Sequence, residues 1–177
     1  MDFGGYGFGV MRTQALRFAA FGMPEVNRPV FIRTNQYHHV VAVREGSGSV
    51  RMYLDGSPVG LPQTVGSVRS SIAPLHLGRN PNLLGLTVEP WPGRIDEAAV
   101  YDRALTASEV CAHYMAGRNV PLLLVLERPD AGHIRLIWPC GTLQEADAVT
   151  GPWLDVGTTS PQTMAATSAK RFYQVRR

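Results

Sequence analysis

The sequence predicts an all-β protein with one short helix. Of the 177 residues, 45% are hydrophobic, and 18 Gly and 13 Pro supply many turn formers. The apolar segments are mostly short and alternate with polar residues, which is typical of half-buried strands. One stretch, near residues 106–117, carries the start and stop signals of a helix. The length allows a substantial core, in one domain or in two small ones.

The N-terminal part predicts three short strands followed by a hairpin. The strands are expected at residues 6–10, 15–21 and 30–33. Residues 37–43 and 50–56 alternate apolar and polar side chains, and a polar connection that contains two glycines joins them. Connections of this kind turn a β-hairpin.

Two further strands, at residues 75–78 and 93–101, are predicted after the hairpin. The loop 57–74 precedes the first of them. The segment between them, residues 79–92, contains three prolines and two asparagines and therefore predicts an irregular loop. Long loops often carry function, so both loops are candidates for ligand binding.

The helix is predicted at residues 107–116. Thr106 is its N-cap candidate, Glu109 completes a capping box, and Gly117 is a suitable stop. Three residues share one face at helical spacing: Val110, His113 and Tyr114. A packing role is the default interpretation of such a helix.

The C-terminal part predicts a second, small β-sandwich. Its strands are expected at residues 122–127, 133–138, 142–146, 153–156 and 171–175, with turn signals at 129–132 and 150–152. The domains are accordingly placed at residues 1–119 and 120–177. Four aromatic residues are interpreted as the core of the second domain rather than as a ligand platform: Trp138, Trp153, Phe172 and Tyr173.

Short motifs in the first domain resemble a known family. Residues 38–42 read His-His-Val-Val-Ala, residues 53–56 read Tyr-Leu-Asp-Gly, and residues 93–97 read Gly-Arg-Ile-Asp-Glu ahead of Leu-Thr-Ala-Ser-Glu. They resemble the laminin G-like, or concanavalin A-like lectin/glucanase, jelly-roll domain. The resemblance implies a partial jelly-roll β-sandwich that binds rather than catalyses. Carbohydrate or a cell-surface glycan is the implied partner.

The small C-terminal domain resembles a β module found at the C-terminal ends of bacterial surface or secreted proteins. The motifs that carry this resemblance include Leu-Ile-Trp-Pro at 136–139, Leu-Gln-Glu-Ala-Asp at 143–147 and Gly-Pro-Trp at 151–153. A complete laminin G-like domain also places several strands ahead of residues 8–11. The resemblance thus implies an N-terminally truncated domain and the remainder of a longer, extracellular polypeptide. Missing strands predict exposed apolar faces and unpaired edges, and with them self-association or poor solubility.

Metal binding is predicted at one residue. The resemblance implies a structural calcium ion, with Asp96 as the matching ligand, since calcium prefers oxygen donors. A hydrogen-bonding role for Asp96 is the alternative. His38 and His39 are adjacent on a predicted strand, so their side chains diverge and a structural role is favoured over a shared metal. Trp91 is interpreted either as a sugar-stacking ring or as a hinge that packs on the sandwich.

Several classes of function receive no support. The net charge is +3, and four basic residues lie in the last eight positions, which argues against nucleic acid. No apolar run is long enough to cross a membrane. Asp96 and Glu97 are adjacent and would face opposite sides of a strand, which does not suit paired catalytic acids. Glu145 and Asp147 have suitable spacing but lie beside a turn.

The two cysteines, Cys111 and Cys140, fall in different predicted domains and are interpreted as free thiols rather than a disulfide. The predicted function is a non-catalytic binding or adhesion module of a larger exported bacterial protein. Two alternatives stay open: a structural spacer, or an accessory module of an upstream carbohydrate-active hydrolase.

Overall fold

A computed structural model of the chain describes residues 4–81, 87–88, 90–166 and 170–176. The chain divides into two compact units, each built from separate segments. Unit 1 comprises Met1–Phe31, Val43–Val50 and Pro62–Ala104, and unit 2 comprises Ile32–Ala42, Arg51–Leu61 and Leu105–Arg177. The division at residues 119 and 120 stays a prediction.

Unit 1 begins with a three-stranded antiparallel sheet. Its strands β1 (Tyr6–Met11), β2 (Ala15–Ala20) and β3 (Val26–Pro29) lie side by side in chain order. Alternation places four of the five buried side chains of β2 and β3 on one face, the exception being Ala15: Leu16, Phe18, Ala20 and Val26. The first two predicted strands are confirmed.

The third predicted strand, residues 30–33, is wrong. The chain instead pairs four residues earlier, with Val26 directly opposite Phe18. Val26 is almost fully buried there, whereas Phe31 is 75% exposed. Burial of Val26 in the core face therefore decides the position of the strand.

The predicted hairpin is confirmed as β4 (Val40–Arg44) and β5 (Ser49–Leu54). Two short strands, β6 (Ser57–Pro58) and β7 (Gln63–Thr64), also pair with β5. Met52 and Tyr53 are adjacent and both buried, so side chains on both faces of β5 are covered.

The predicted strands at 75–78 and 93–101 are wrong, because both segments are irregular. Gly78 and Glu97 adopt positive φ angles of 74° and 47°, which interrupt an extended backbone. The apolar residues of the second segment, including Val100, stay exposed. The intervening loop holds a short ribbon formed by β8 (Asn80–Pro81) and β9 (Thr87–Val88); residues 82–86 and 89 lie outside the described residues.

Helix α1 (Ala107–Gly117) confirms the predicted helix and its cap. The Thr106 hydroxyl accepts from the Glu109 amide at 3.2 Å, and the Glu109 carboxylate accepts from the Thr106 amide at 2.7 Å. Val110 is fully buried, whereas His113 is exposed. Gly117 is still helical rather than the predicted stop, and Asn119 takes the positive φ of 54°.

The C-terminal part forms two three-stranded antiparallel sheets. One has the order β10 (Val125–Asp130), β11 (His133–Ile137), β14 (Gln162–Ala165), and the other has β13 (Leu154–Gly157), β12 (Thr142–Ala146), β15 (Phe172–Arg176). Leu136, Trp138 and Leu143 form their buried cluster, with Tyr173 packed against it. The core role is confirmed for Trp138 and Tyr173, whereas Trp153 and Phe172 lie outside this cluster.

Strand β14 was not predicted, and β10 begins three residues later than expected. β14 has one large apolar residue, Met164, so its own sequence carries little strand signal. Its pairing with β11 from His133 to Leu136 fixes it instead. Pro129 and Asp130 belong to β10, which contains a register shift before Asp130, rather than to a turn.

The interpretation of the cysteines as free thiols is wrong. Cys111 in α1 and Cys140 form a disulfide with a Cα–Cα distance of 6.0 Å. Cys111 also lies 3.6 Å from the carbonyl oxygen of Pro139. The two residues are 29 positions apart, and only the placement of α1 beside residues 139–140 brings them together.

Candidate binding site

A two-residue turn at Asp55 and Gly56 joins β5 to β6 in a tight hairpin. Their φ angles are 51° and 78°, and the flanking residues Leu54 and Ser57 pair directly. An Asp-Gly pair is preferred in such turns because both residues tolerate positive φ. The Tyr-Leu-Asp-Gly motif therefore has a direct conformational explanation.

The carboxylate of Asp55 ties this turn to the segment before β4. One oxygen lies 2.8 Å from His38 Nδ1, and the other accepts from the His39 amide at 3.0 Å. The Asp55 amide also donates a hydrogen bond of 2.8 Å to the His39 carbonyl. The second ring nitrogen of His38 lies 3.1 Å from the Arg33 carbonyl oxygen. His38 is thus held on both sides by its own chain.

The side chain of His39 packs on helix α1. Its ring stacks on Tyr114 with centroids 6.2 Å apart, and a Cβ on Gly56 would lie 3.1 Å from the same tyrosine. The pKa of His39 is lowered, first by burial and then by His113, while Asp55 opposes the shift. Among the described residues, nothing hydrogen-bonds its buried Nδ1.

We call these five residues the hairpin–helix cluster: His38, His39, Asp55, Gly56 and Tyr114. His38 and His39 precede β4 instead of lying on it as predicted, and they have different partners, with His38 beside Asp55 and His39 stacked on Tyr114. Within the part of the chain that the structure describes, no three His, Cys, Asp or Glu side chains are grouped to hold a metal ion. The cluster fastens the hairpin turn to the helix.

Trp91, in the second candidate loop, presents a different kind of surface. Its amide donates to the Gly78 carbonyl at 2.9 Å, and its indole Nε1 donates to the Arg94 carbonyl at 3.3 Å. The ring lies over Gly93, where a Cβ would approach Nε1 to 2.9 Å. Trp91 nevertheless stays 41% exposed. The loop therefore fixes the ring at one edge and leaves a large part of it open to solvent.

The first candidate loop, residues 57–74, is held by hydrogen bonds near its centre. Val65 is buried, and its amide donates to the Gly48 carbonyl at 2.9 Å. Arg44 donates to the Gly66 carbonyl at 2.7 Å. Its later part exposes Ile72 almost completely. This loop offers apolar surface, but no aromatic side chain.

Asp96 lies in the irregular segment after Trp91. One oxygen of its exposed carboxylate accepts from the Glu97 amide at 2.9 Å. Calcium takes about six to eight oxygen ligands, and the described residues include no group of three or more His, Cys, Asp or Glu side chains, at Asp96 or elsewhere, that could hold a metal ion. These residues alone do not fit a calcium site, and the role of Asp96 as a calcium ligand stays a prediction.

The two acids whose spacing would suit a catalytic pair form ion pairs with an arginine instead. Glu145 and Asp147 both face Arg171, at 3.8 and 3.1 Å. Asp155 is likewise held, by Gln144 at 2.7 Å and by Arg176 at 2.9 Å. These contacts give the carboxylates a role in cross-strand pairing within the small sheets.

Sequence reasoning singled out His38, His39, Trp91 and Asp96, but it did not find Tyr114 as the partner of His39. The helical spacing marked Tyr114 as a packing residue without showing what it packs on.

None of the described helices is long and apolar enough to span a membrane.

Comparison with known proteins gives one match. The family model described as the concanavalin A-like lectin/glucanases superfamily matches residues 2–111. That range includes the hairpin, Trp91 and Asp96 and ends within helix α1. No curated protein and no solved structure matches the chain.

Proposed function

The chain belongs to the concanavalin A-like lectin/glucanases superfamily, and from this membership we propose that it is a non-catalytic carbohydrate-binding module. The observation that carries the proposal is Trp91, which is 41% exposed while its indole N–H is bonded to the Arg94 carbonyl. A flat aromatic surface suits the apolar face of a sugar ring. Because the ring is already held by the loop, binding costs little conformational entropy.

The absence of catalysis is supported by how the carboxylates are used. Glycoside hydrolysis needs two carboxyl groups on either side of one bond. Glu145 and Asp147 are instead paired with Arg171. Asp96 accepts a hydrogen bond from its own neighbour, Glu97. The contacts of these three acids favour a binding role over hydrolysis.

An extracellular setting, as part of a larger bacterial adhesion or surface protein, belongs to the same proposal. The disulfide between Cys111 and Cys140 supports it, since disulfides persist mainly in oxidising compartments. The division into modules 1–119 and 120–177 is also proposed, and the separate buried cluster of Leu136, Trp138 and Leu143 supports it. Structural calcium at Asp96 would require ligands beyond the described ones.

A structural spacer, alone or as an accessory module of an upstream hydrolase, is the second candidate. The hairpin–helix cluster favours it, because Asp55 and His38 direct their polar atoms to their own chain. A spacer needs no exposed ligand group, so the spacer model gives Trp91 no role beyond packing on Gly93.

A glycan array followed by affinity electrophoresis tests the proposal. We expect the full chain to be retained by at least one glycan, and Trp91→Ala to lose that retention. Phe31→Ala is the matched control, since Phe31 is an exposed aromatic residue outside both candidate loops. Absence of retention on every glycan, or equal retention of Trp91→Ala, would favour the spacer. Repeating the assay with a chelator tests the calcium prediction.

A further inference from the structure

The sheet formed by β13, β12 and β15 has one face that points away from the buried cluster. Leu143 on β12 and Tyr173 on β15 belong to that cluster, so their neighbours along each strand project from the opposite side. We call this opposite side the outer face: Gln144, Ala146, Trp153, Asp155, Phe172 and Gln174.

Two aromatic side chains flank the centre of the outer face. Phe172 of β15 lies directly opposite Ala146 of β12. The register of β12 with β13, continued by one residue, places Trp153 on the other side of Ala146. Neighbouring strands lie about 4.7–4.9 Å apart, so the backbones of Trp153 and Phe172 are separated by about 9–10 Å. That separation is comparable to two sugar units of an extended chain.

The two rings and Ala146 form one continuous surface. Ala146 is only 3% exposed although it lies away from the buried cluster, which indicates that the larger side chains beside it cover it. Trp153 and Phe172 are themselves partly exposed. The Trp153 ring also lies close to its own chain, because a Cβ on Gly151 would approach the ring to 3.0 Å. The surface is therefore supported from below and open above.

A row of polar side chains lies beside the aromatic row. Gln144 donates to Asp155 at 2.7 Å and accepts from Gln174 at 2.9 Å. Asp155 also accepts from Arg176, at the end of β15, at 2.9 Å. Gln144 is 7% exposed, whereas the side chains of Asp155 and Arg176 are 55% and 58% exposed. The row is fixed at its centre and leaves hydrogen-bonding groups open to solvent at its ends.

The charges on this side of the sheet favour an uncharged ligand. Asp155 and Arg176 form an ion pair and cancel each other. Lys170, whose Nζ lies 4.9 Å from the centre of the Phe172 ring, adds one positive charge. A nucleic acid needs a patch or stripe of basic residues, and one net charge does not supply it.

We propose that the outer face is a second carbohydrate-binding site, which takes a neutral polysaccharide with a flat, extended chain. Trp153 and Phe172 stack on the apolar faces of two sugar rings. Asp155 accepts hydrogen bonds from hydroxyl groups, while Gln174 and Arg176 donate to hydroxyl oxygens. An open sheet face encloses only a small part of a ligand, so we expect weak binding.

This second site is independent of the site at Trp91. It lies outside residues 2–111, which match the family model. Loss of binding at Trp91 should therefore leave the outer face intact, and the two sites can fail separately.

NMR titration of the ¹⁵N-labelled full chain with cellohexaose and mannohexaose, two neutral and extended oligosaccharides, tests the proposal. The Trp153 indole signal should shift with saturation, both in the parent chain and in Trp91→Ala. Trp153→Ala should raise the dissociation constant, followed by the amide signals of β12 and β15, by about tenfold or more. Arg176→Gln keeps both rings and should also weaken binding, because it removes a charged donor.

Leu154→Ala is the matched control for Trp153→Ala. Leu154 is adjacent in sequence and 62% exposed, but it pairs with Glu145 and so lies on the other side of the sheet. Its replacement should leave the dissociation constant unchanged.

Three results would overturn the proposal. The first is a Trp153 signal that stays in place with both sugars, whatever the Trp91 signal does. The second is a shift of the Trp153 signal with a thymidine oligonucleotide and not with the sugars, which would identify a nucleic-acid surface. The third is a folded Trp153→Ala variant that binds as the parent does, or a Leu154→Ala variant that weakens binding equally.

Discussion

Replacing Asp55 by alanine should destabilise the chain, because one carboxylate joins the hairpin turn to two residues before β4. The change removes the contacts to His38 Nδ1 at 2.8 Å and to the His39 amide at 3.0 Å. Hydrogen bonds to charged groups contribute about 1.5–3 kcal/mol when buried. The Asp55 side chain is 32% exposed, so water replaces part of each bond and about 1 kcal/mol per bond is a fair value.

The backbone adds a second cost. Asp55 has a φ of 51°, and alanine in that region costs about 1–2 kcal/mol. The expected loss for Asp55→Ala is therefore about 3–4 kcal/mol in the free energy of unfolding. Asn tolerates the same φ and can still accept from the His39 amide, so Asp55→Asn should cost at least about 1 kcal/mol less.

Urea unfolding monitored by circular dichroism measures these values. A double-mutant cycle with His38→Ala isolates the contact between the two side chains. A loss below about 0.5 kcal/mol for Asp55→Ala, or no coupling to His38, would refute the structural role assigned to the hairpin–helix cluster.

Three further predictions concern stability. Burial lowers the pKa of His39 in the folded chain, so its contribution to stability is complete above the unfolded pKa of 6.5 and is lost as pH falls through the lowered folded pKa. Urea unfolding at pH 7 and pH 5 should show this loss, and His39→Gln should diminish it. Leu136→Ala should cost about 2–5 kcal/mol, because Leu136 is fully buried, whereas the exposed Leu123→Ala should change stability by less than about 0.5 kcal/mol; equal losses in urea unfolding would contradict the assigned core. Replacing Cys111 and Cys140 by serine removes a disulfide between residues 29 positions apart and should lower the free energy of unfolding by about 2–4 kcal/mol. A melting temperature equal to that of the parent would contradict a formed disulfide.

Local signals in the sequence predicted much of the fold. The capping box of α1 depends on neighbouring residues and lies where it was expected. The Asp-Gly turn is also a local feature, but it ends the segment 50–56 that was predicted as one strand. The alternation of β2 and β12 likewise marked their strands. These features need no knowledge of distant parts of the chain.

The errors arose where tertiary pairing decides the outcome. Residues 93–101 alternate like a strand, but Glu97 takes a positive φ and the segment does not pair. Strand β14 carries little signal of its own and is formed by pairing with β11. The disulfide depends on where α1 lies, which no local pattern specifies.

The sequence predicted only part of the candidate site for the same reason. Trp91 was identified by residue type, but the bond to the Arg94 carbonyl that holds its ring depends on the path of the loop. The match to the family covers residues 2–111 and identifies the family rather than any contact residue.

Titration of the ¹⁵N-labelled chain with a retained glycan, followed by NMR of the indole N–H signals, tests the central claim most directly. The chain has three tryptophans, and Trp138 is buried with its indole bonded to the Gly141 carbonyl at 3.1 Å. Binding at the second loop predicts that the Trp91 signal shifts with saturation while the Trp138 signal stays in place. Saturable binding that leaves the Trp91 signal unmoved would contradict the assignment of the site.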